Sequence, residues 1–132
     1  MKEKRKVLVV ENELPMAMLM AHLLLQTGYE FETAHSLAQG MVLAQERRFD
    51  LIILDTDLPG FNFFDVCLDL RERHISRRTP IILLADSPMV NDEVWGVDYV
   101  TKPLDAADFI FEVTSHIVAR SAATLPVAAA PV

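Results

Sequence analysis

The sequence predicts an α/β fold: a doubly wound, five-stranded parallel sheet with helices on both faces. Three observations predict it. Short, continuous apolar runs recur along the chain, as expected of strands buried on both faces. Stretches of helical periodicity lie between them, opened or closed by capping residues. The alternation continues to about residue 121 of a 132-residue chain, a length that corresponds to one domain.

The first strand is "KVLVV" (6–10), short and Val-rich. "LPMAMLMAHLLLQTG" (14–28) follows as a helix, with Pro15 suited to its first turn and Gly28 to its C-terminal stop. It is apolar nearly all round, so it is expected to be well buried. "YEFETAH" (29–35) alternates and reads as the second strand, and Ser36 with Gln39 fits a capping box opening a helix to about Arg47. "DLIILD" (50–55) is the third strand. "FFDVCLDLRERH" (63–74) is a helix expected to turn Phe64, Cys67, Leu68 and Leu70 inward. "TPIILLA" (79–85) and "GVDYVTK" (96–102) are the fourth and fifth strands. The segment between them, "DSPMVNDEVW", has room for barely two helical turns, so the fourth helix of a regular doubly wound fold is shortened or missing. "LDAADFIFEVTSHIVARS" (104–121) is the last helix, capped by Asp105. The domain is thus expected over residues 1–121, with 122–132 an Ala/Pro-rich, disordered tail. Right-handed crossovers place the strands in the order 2-1-3-4-5 of flavodoxin-type sheets, whose ligands sit at the carboxyl ends of the strands.

Composition narrows the function. The chain is 52% hydrophobic, which favours a full core over disorder. A net charge of −7 argues against a domain built to grip nucleic acid, and Lys2, Lys4, Arg5 and Lys6 read as a solvated leader. The single cysteine, Cys67, excludes an internal disulfide and a cysteine-based zinc site. No signal peptide or membrane span is visible, so a cytoplasmic location is expected.

The chemistry collects where the strands end. The first strand delivers Glu11, Asn12 and Glu13; the third delivers Asp55, with Asp57 two residues on. The fourth ends at Ala85–Asp86 and the fifth at Lys102–Pro103. Paired carboxylates with carbonyl oxygens suit a hard cation such as Mg²⁺. A nearby lysine can pair with a carboxylate or a transferred phosphoryl group, and a carboxylate so flanked is a credible nucleophile toward phosphorus. Any one of these acids alone reads better as a solvated strand end. Their conjunction, each directly after an apolar strand, points to a site.

"VLVVENE", "LIILDTDLPG", "TPIILLAD" and "VDYVTKPLD", in that order, resemble the response-regulator receiver domain, the CheY-like fold, over residues 6 to about 120. The resemblance implies a single-domain signalling protein of two-component phosphorelays rather than an enzyme. Asp55 would be the phosphoacceptor and Lys102 would contact the phosphoryl group. Glu11, Asn12, Asp55 and the Asp57 backbone carbonyl would hold Mg²⁺. Ala85 and Tyr99 stand at the switch positions, and Pro103 follows a peptide bond that the family often has in cis. Implied partners are a histidine kinase or histidine phosphotransfer protein and a downstream protein target, with a second copy of the chain as a further candidate, and neither nucleic acid nor membrane.

The sequence departs from the family pattern at three points. Asn12 replaces a metal-coordinating acid, which predicts weak Mg²⁺ binding. Ala85 replaces the Ser or Thr whose hydroxyl senses the phosphoryl group. The shortened fourth helix alters the usual output face. Asp86 reads either as a turn carboxylate or as one that shields Asp55 and restores charge lost at Asn12. Phe61, Phe63 and Phe64 read as core packing at a helix start, and the four histidines carry no metal-ligand spacing. Two alternatives stand beside the phosphoacceptor reading. One is a degenerate pseudo-receiver, docking or dimerising without phosphorylation. The other is a haloacid-dehalogenase-type phosphatase, from the Asp-x-Asp of "DTDLPG".

Overall fold

The computed structural model describes residues 4–88 and 96–122. The elements are β1 (Lys6–Val10), α1 (Leu14–Leu25), β2 (Glu30–Ala34), α2 (Leu37–Glu46), β3 (Leu51–Asp55), α3 (Phe63–Glu72), β4 (Ile81–Ala85), β5 (Val97–Thr101) and α4 (Ala106–Ala122). All strand pairs are parallel and the sheet order is β2-β1-β3-β4-β5, as expected.

Strand alternation divides the core into two layers. Leu8, Val10, Ile52, Leu54, Ile81 and Leu83 face the α2 and α3 side. Val7, Val9, Leu51, Ile53, Ile82 and Leu84 face α1 and α4, where Met20, Leu24, Phe109 and Val113 meet them. Both sheet faces are therefore covered, which is why β1, β3 and β4 read as unbroken apolar runs.

The caps follow from local chemistry. The Ser36 hydroxyl accepts from the Gln39 N–H, while Gln39 Oε1 accepts from the His35 N–H, one residue short of the expected box. Asp105 Oδ1 accepts from the Asp108 N–H at the start of α4.

Two helices differ from expectation. α1 is not buried all round: Leu14, Met18 and Leu25 are exposed, and only Ala17, Met20, Leu23 and Leu24 are fully covered. A helix lying on one sheet face can bury one stripe only, however apolar its other side. α3 buries Val66, Cys67 and Leu70, with Phe63 packed against the same layer. Those four stand at i, i+3, i+4 and i+7, so Phe64 and Leu68 lie outside the stripe and are exposed, not inward as expected. Phe61 and Phe63 do pack against the core.

Four helices occur among the described residues, none of them in the described part of the β4–β5 connection. Residues 86–96 are fewer than a full crossover helix with two loops requires. Positions 89–95, which carry most of the expected shortened fourth helix and Trp95, lie outside the described residues, as do positions 123–132 of the expected tail.

Candidate functional site

Register brings the acids to one edge. Val10 pairs with Leu54 across β1 and β3, and Asp55 pairs with Leu84 across β3 and β4. Glu11 follows β1 directly, Asp55 closes β3, and Lys102 follows β5. Glu11 and Asp55 are both 0% exposed. The backbone of each is pinned: the Glu11 N–H donates to Ala34 O, and Asp55 O accepts from the Leu58 N–H. Buried Leu58 anchors the loop that follows β3, and Gly60 takes a positive φ of 82° to turn it toward α3. The Lys102 N–H donates to Ala85 O, and the Lys102–Pro103 bond is cis.

The side chains form a charged cluster around Lys102. Its Nζ donates to Asp55 Oδ1 at 2.8 Å and to Asp57 Oδ2 at 3.2 Å, and stands 4.0 Å from Asp86 Oδ1. The Asp57 N–H donates to Asp55 Oδ1 at 2.8 Å. On the other side the Glu13 N–H donates to Glu11 Oε2 at 3.0 Å. Lys102 Nζ is also 2.8 Å from Asp55 Oδ2, yet the angle makes no hydrogen bond, so Oδ2 and Glu11 Oε1 remain buried acceptors without a donor. Two facing carboxylates need a shared proton or a cation to relieve that.

The charges respond accordingly. Burial, then contact with Asp55, pushes the Glu11 carboxyl up to about 7. Burial also acts to raise Asp55, but hydrogen bonds from Glu11 and Lys102 outweigh it and hold this carboxyl below its ordinary value. Of the two, Glu11 is therefore the carboxyl that more readily holds a proton. Burial acts to lower the Lys102 ammonium, and Asp55 and Asp57 more than reverse it, so Lys102 stays charged. Asp86 is exposed and lies beside Asp57, which raises its carboxyl.

The edge acids therefore converge as the sequence suggests. Carboxylate oxygens of Glu11, Glu13 and Asp55 all lie within 4.8 Å of one another, a spacing one ion can bridge. Asn12 is exposed beside them, and Ala85 is buried at the end of β4, opposite Thr101. Tyr99 packs partly against the α2–α3 layer, and its N–H donates to Asp98 Oδ1. Tyr99 and Pro103 also border a groove of about 380 Å³ between β5 and α4, which Asp55 does not line.

Two groupings escape sequence reasoning. Glu13 was placed at the edge but given no role. Asp98, Glu112 and His116 bring one ligand atom each within 4.8 Å on the β5–α4 face, with His116 Nε2 3.2 Å from Asp98 Oδ2. The i,i+4 spacing of Glu112 and His116 is legible in the sequence; the arrival of Asp98 from a neighbouring strand is not.

A parallel 2-1-3-4-5 sheet with a buried Asp–Glu–Lys cluster at its carboxyl edge defines a CheY-like signalling domain. The family model of the response regulator receiver domain matches residues 7–114, and the chain belongs to that family. That assignment takes "DTDLPG" away from the phosphatase alternative. Solved structures agree. The receiver domain of a signal transduction histidine kinase from Syntrophus aciditrophicus is 27% identical, with 87% of this chain and 91% of that one covered and a TM-score of 0.74. The chemotaxis protein CheY4 of Vibrio cholerae is 25% identical, covering 86% and 98%, with a TM-score of 0.75. The receiver domain of the sensor histidine kinase PA1611 from Pseudomonas aeruginosa PAO1 is 24% identical, covering 88% and 99%, with a TM-score of 0.76, and carries a magnesium ion in its active site cleft. No helix among the described residues is long and apolar enough to cross a membrane.

Proposed function

We propose that this chain is a phosphoacceptor receiver of two-component signalling. Asp55 takes a phosphoryl group from a phosphohistidine on a histidine kinase or histidine phosphotransfer protein. A downstream protein in the cytoplasm reads the altered surface. The observation that carries this reading is Asp55 itself: fully buried, held ionised, 2.8 Å from Lys102 and beside Glu11.

In the transfer an Asp55 carboxylate oxygen forms a bond to phosphorus as the N–P bond of the donor breaks, its electron pair staying on the imidazole. Lys102, fixed in its charged form, pairs with the negative phosphoryl oxygens. The orphaned oxygens of Glu11 and Asp55 fit a small hard cation, and the Asp57 carbonyl and Asn12 amide oxygen complete an oxygen-donor set. A Mg²⁺ held by these residues would supply charge to offset that of the transferring group.

A second reading is favoured by Ala85, whose buried methyl offers no hydrogen bond where the family places a hydroxyl. On it the domain docks or dimerises without phosphorylation. Intact-mass analysis after a small phosphodonor with millimolar Mg²⁺ separates the two. A single phosphoryl adduct, absent in Asp55→Asn, supports the phosphoacceptor. A folded protein with no adduct transfers the assignment to the docking module.

A further inference from the structure

The metal reading leaves a deficit, because Asn12 carries no charge where a receiver has an acid. The structure shows where a replacement stands. Glu13 is the N-cap of α1, with φ −93° and ψ 119°, yet its side chain makes no capping hydrogen bond. Pro15 in the first turn removes one of the N–H groups that such a side chain would engage. The Glu13 carboxylate instead sits with an oxygen within 4.8 Å of carboxylate oxygens of both Glu11 and Asp55. Its backbone N–H donates to Glu11 Oε2 at 3.0 Å, which folds the β1–α1 turn and orients both residues. Within the same trio, Glu11 Oε1 and Asp55 Oδ2 are fully buried and accept no hydrogen bond, Oδ2 having only the Lys102 ion pair at 2.8 Å.

We propose that Glu13 is a carboxylate ligand of the Mg²⁺ in this chain, supplying the charge that Asn12 does not. A proton between Glu11 and Asp55 would hold that pair, but it would not draw in the Glu13 carboxylate. Lys102 reaches Asp55 but is engaged on the far side by Asp57, so a divalent cation is the group that this trio fits. Glu13 is exposed, so its side chain can close on an ion at little cost in desolvation. This inference rests on the metal reading above and refines it.

The test is Mg²⁺ titration of the full chain by isothermal calorimetry, for wild type, Glu13→Gln, Glu13→Asp and Asn12→Ala, at low salt and again near 0.5 M KCl. Glu13→Gln is expected to weaken binding about tenfold or more at both salt concentrations, since a direct ligand is not screened as a distant charge is. Glu13→Asp, which keeps the charge on a shorter arm, is expected to lose most of the same affinity. Asn12→Ala, which removes a neutral amide oxygen and no charge, is expected to weaken binding less than Glu13→Gln does. Wild-type-like affinity in Glu13→Gln overturns the inference while leaving the metal reading intact; so does a loss that vanishes at high salt. No binding by wild type overturns both. Circular dichroism melts control for folding, and Glu13→Gln removes no capping bond, so its helix is retained.

Discussion

Glu11 shows how one buried side chain can set a pH response. Its carboxyl ordinarily titrates near 4.5 and is pushed up to about 7 in the folded protein. The folded state therefore holds a proton that the unfolded chain releases as pH rises between those values. The resulting stability is complete below the unfolded value and is lost as pH climbs through the folded one. Without divalent cations, urea melts should show the protein losing about 3 kcal/mol between about pH 4.5 and about pH 7.5. In Glu11→Gln that slope should flatten; an unchanged slope would place the titration elsewhere. Asp55→Asn removes the charge facing Glu11. It should lower the Glu11 carboxyl toward its ordinary value, so that less stability is lost as pH rises toward 7. NMR titration of the Glu11 carboxyl together with melts checks both. Ala85, which closes β4, and Asn12, which follows Glu11, stand at the same sheet edge, the first unable to donate a side-chain hydrogen bond and the second unable to supply charge.

Among the elements, α2 depends on close approach. A Cβ on Gly40 would stand 2.6 Å from Val10 Cγ2 and 2.9 Å from Cγ1, so the helix rests on β1 without room for a methyl group. Gly40→Ala would gain about 1 kcal/mol of helix propensity, but overpacking against β1 costs about 1–3 kcal/mol. A net destabilisation of about 1–2 kcal/mol is expected in denaturant melts. Val10→Ala removes the opposing methyls, so the double variant should recover part of that loss, a coupling that a double-mutant cycle measures. α4 depends on Phe109, fully buried against the β1–β3–β4 centre. Phe109→Ala is expected to cost about 3–5 kcal/mol, enough to unfold a marginal domain. α1 and α3 show the converse: their apolar residues outside the buried stripe, such as Met18 and Phe64, do not count toward the core.

For the domain as a whole, the proposed Mg²⁺ site would link metal binding to folding. A ligand bound only by the native state stabilises it by mass action. At ten times its dissociation constant Mg²⁺ contributes about 1.4 kcal/mol, which for a domain of this size raises the melting temperature by about 3–6 °C. EDTA should reverse the shift, and Asp55→Asn should abolish most of it. The net charge of −7 adds a diffuse attraction for cations, which a monovalent-salt control at matched ionic strength removes.

The five strands, their order and the edge on which the acids meet were legible from Lys6–Val10, Leu51–Asp55 and Ile81–Ala85. A buried parallel strand must be apolar throughout and ends abruptly where water begins, so Asp55 after "LIIL" marks both an element boundary and a site. Lys102 was legible for the same reason. Which side of α1 and α3 faces the sheet was not, because an all-round apolar helix carries no periodic signal and its orientation is set by what it packs on. Nor was the role of Glu13 legible, or the meeting of Asp98 with Glu112 and His116. Local sequence specifies what each segment can become and which residues must leave water. Distances between side chains on different elements follow from strand register and helix packing, which exist only once the chain has closed on itself.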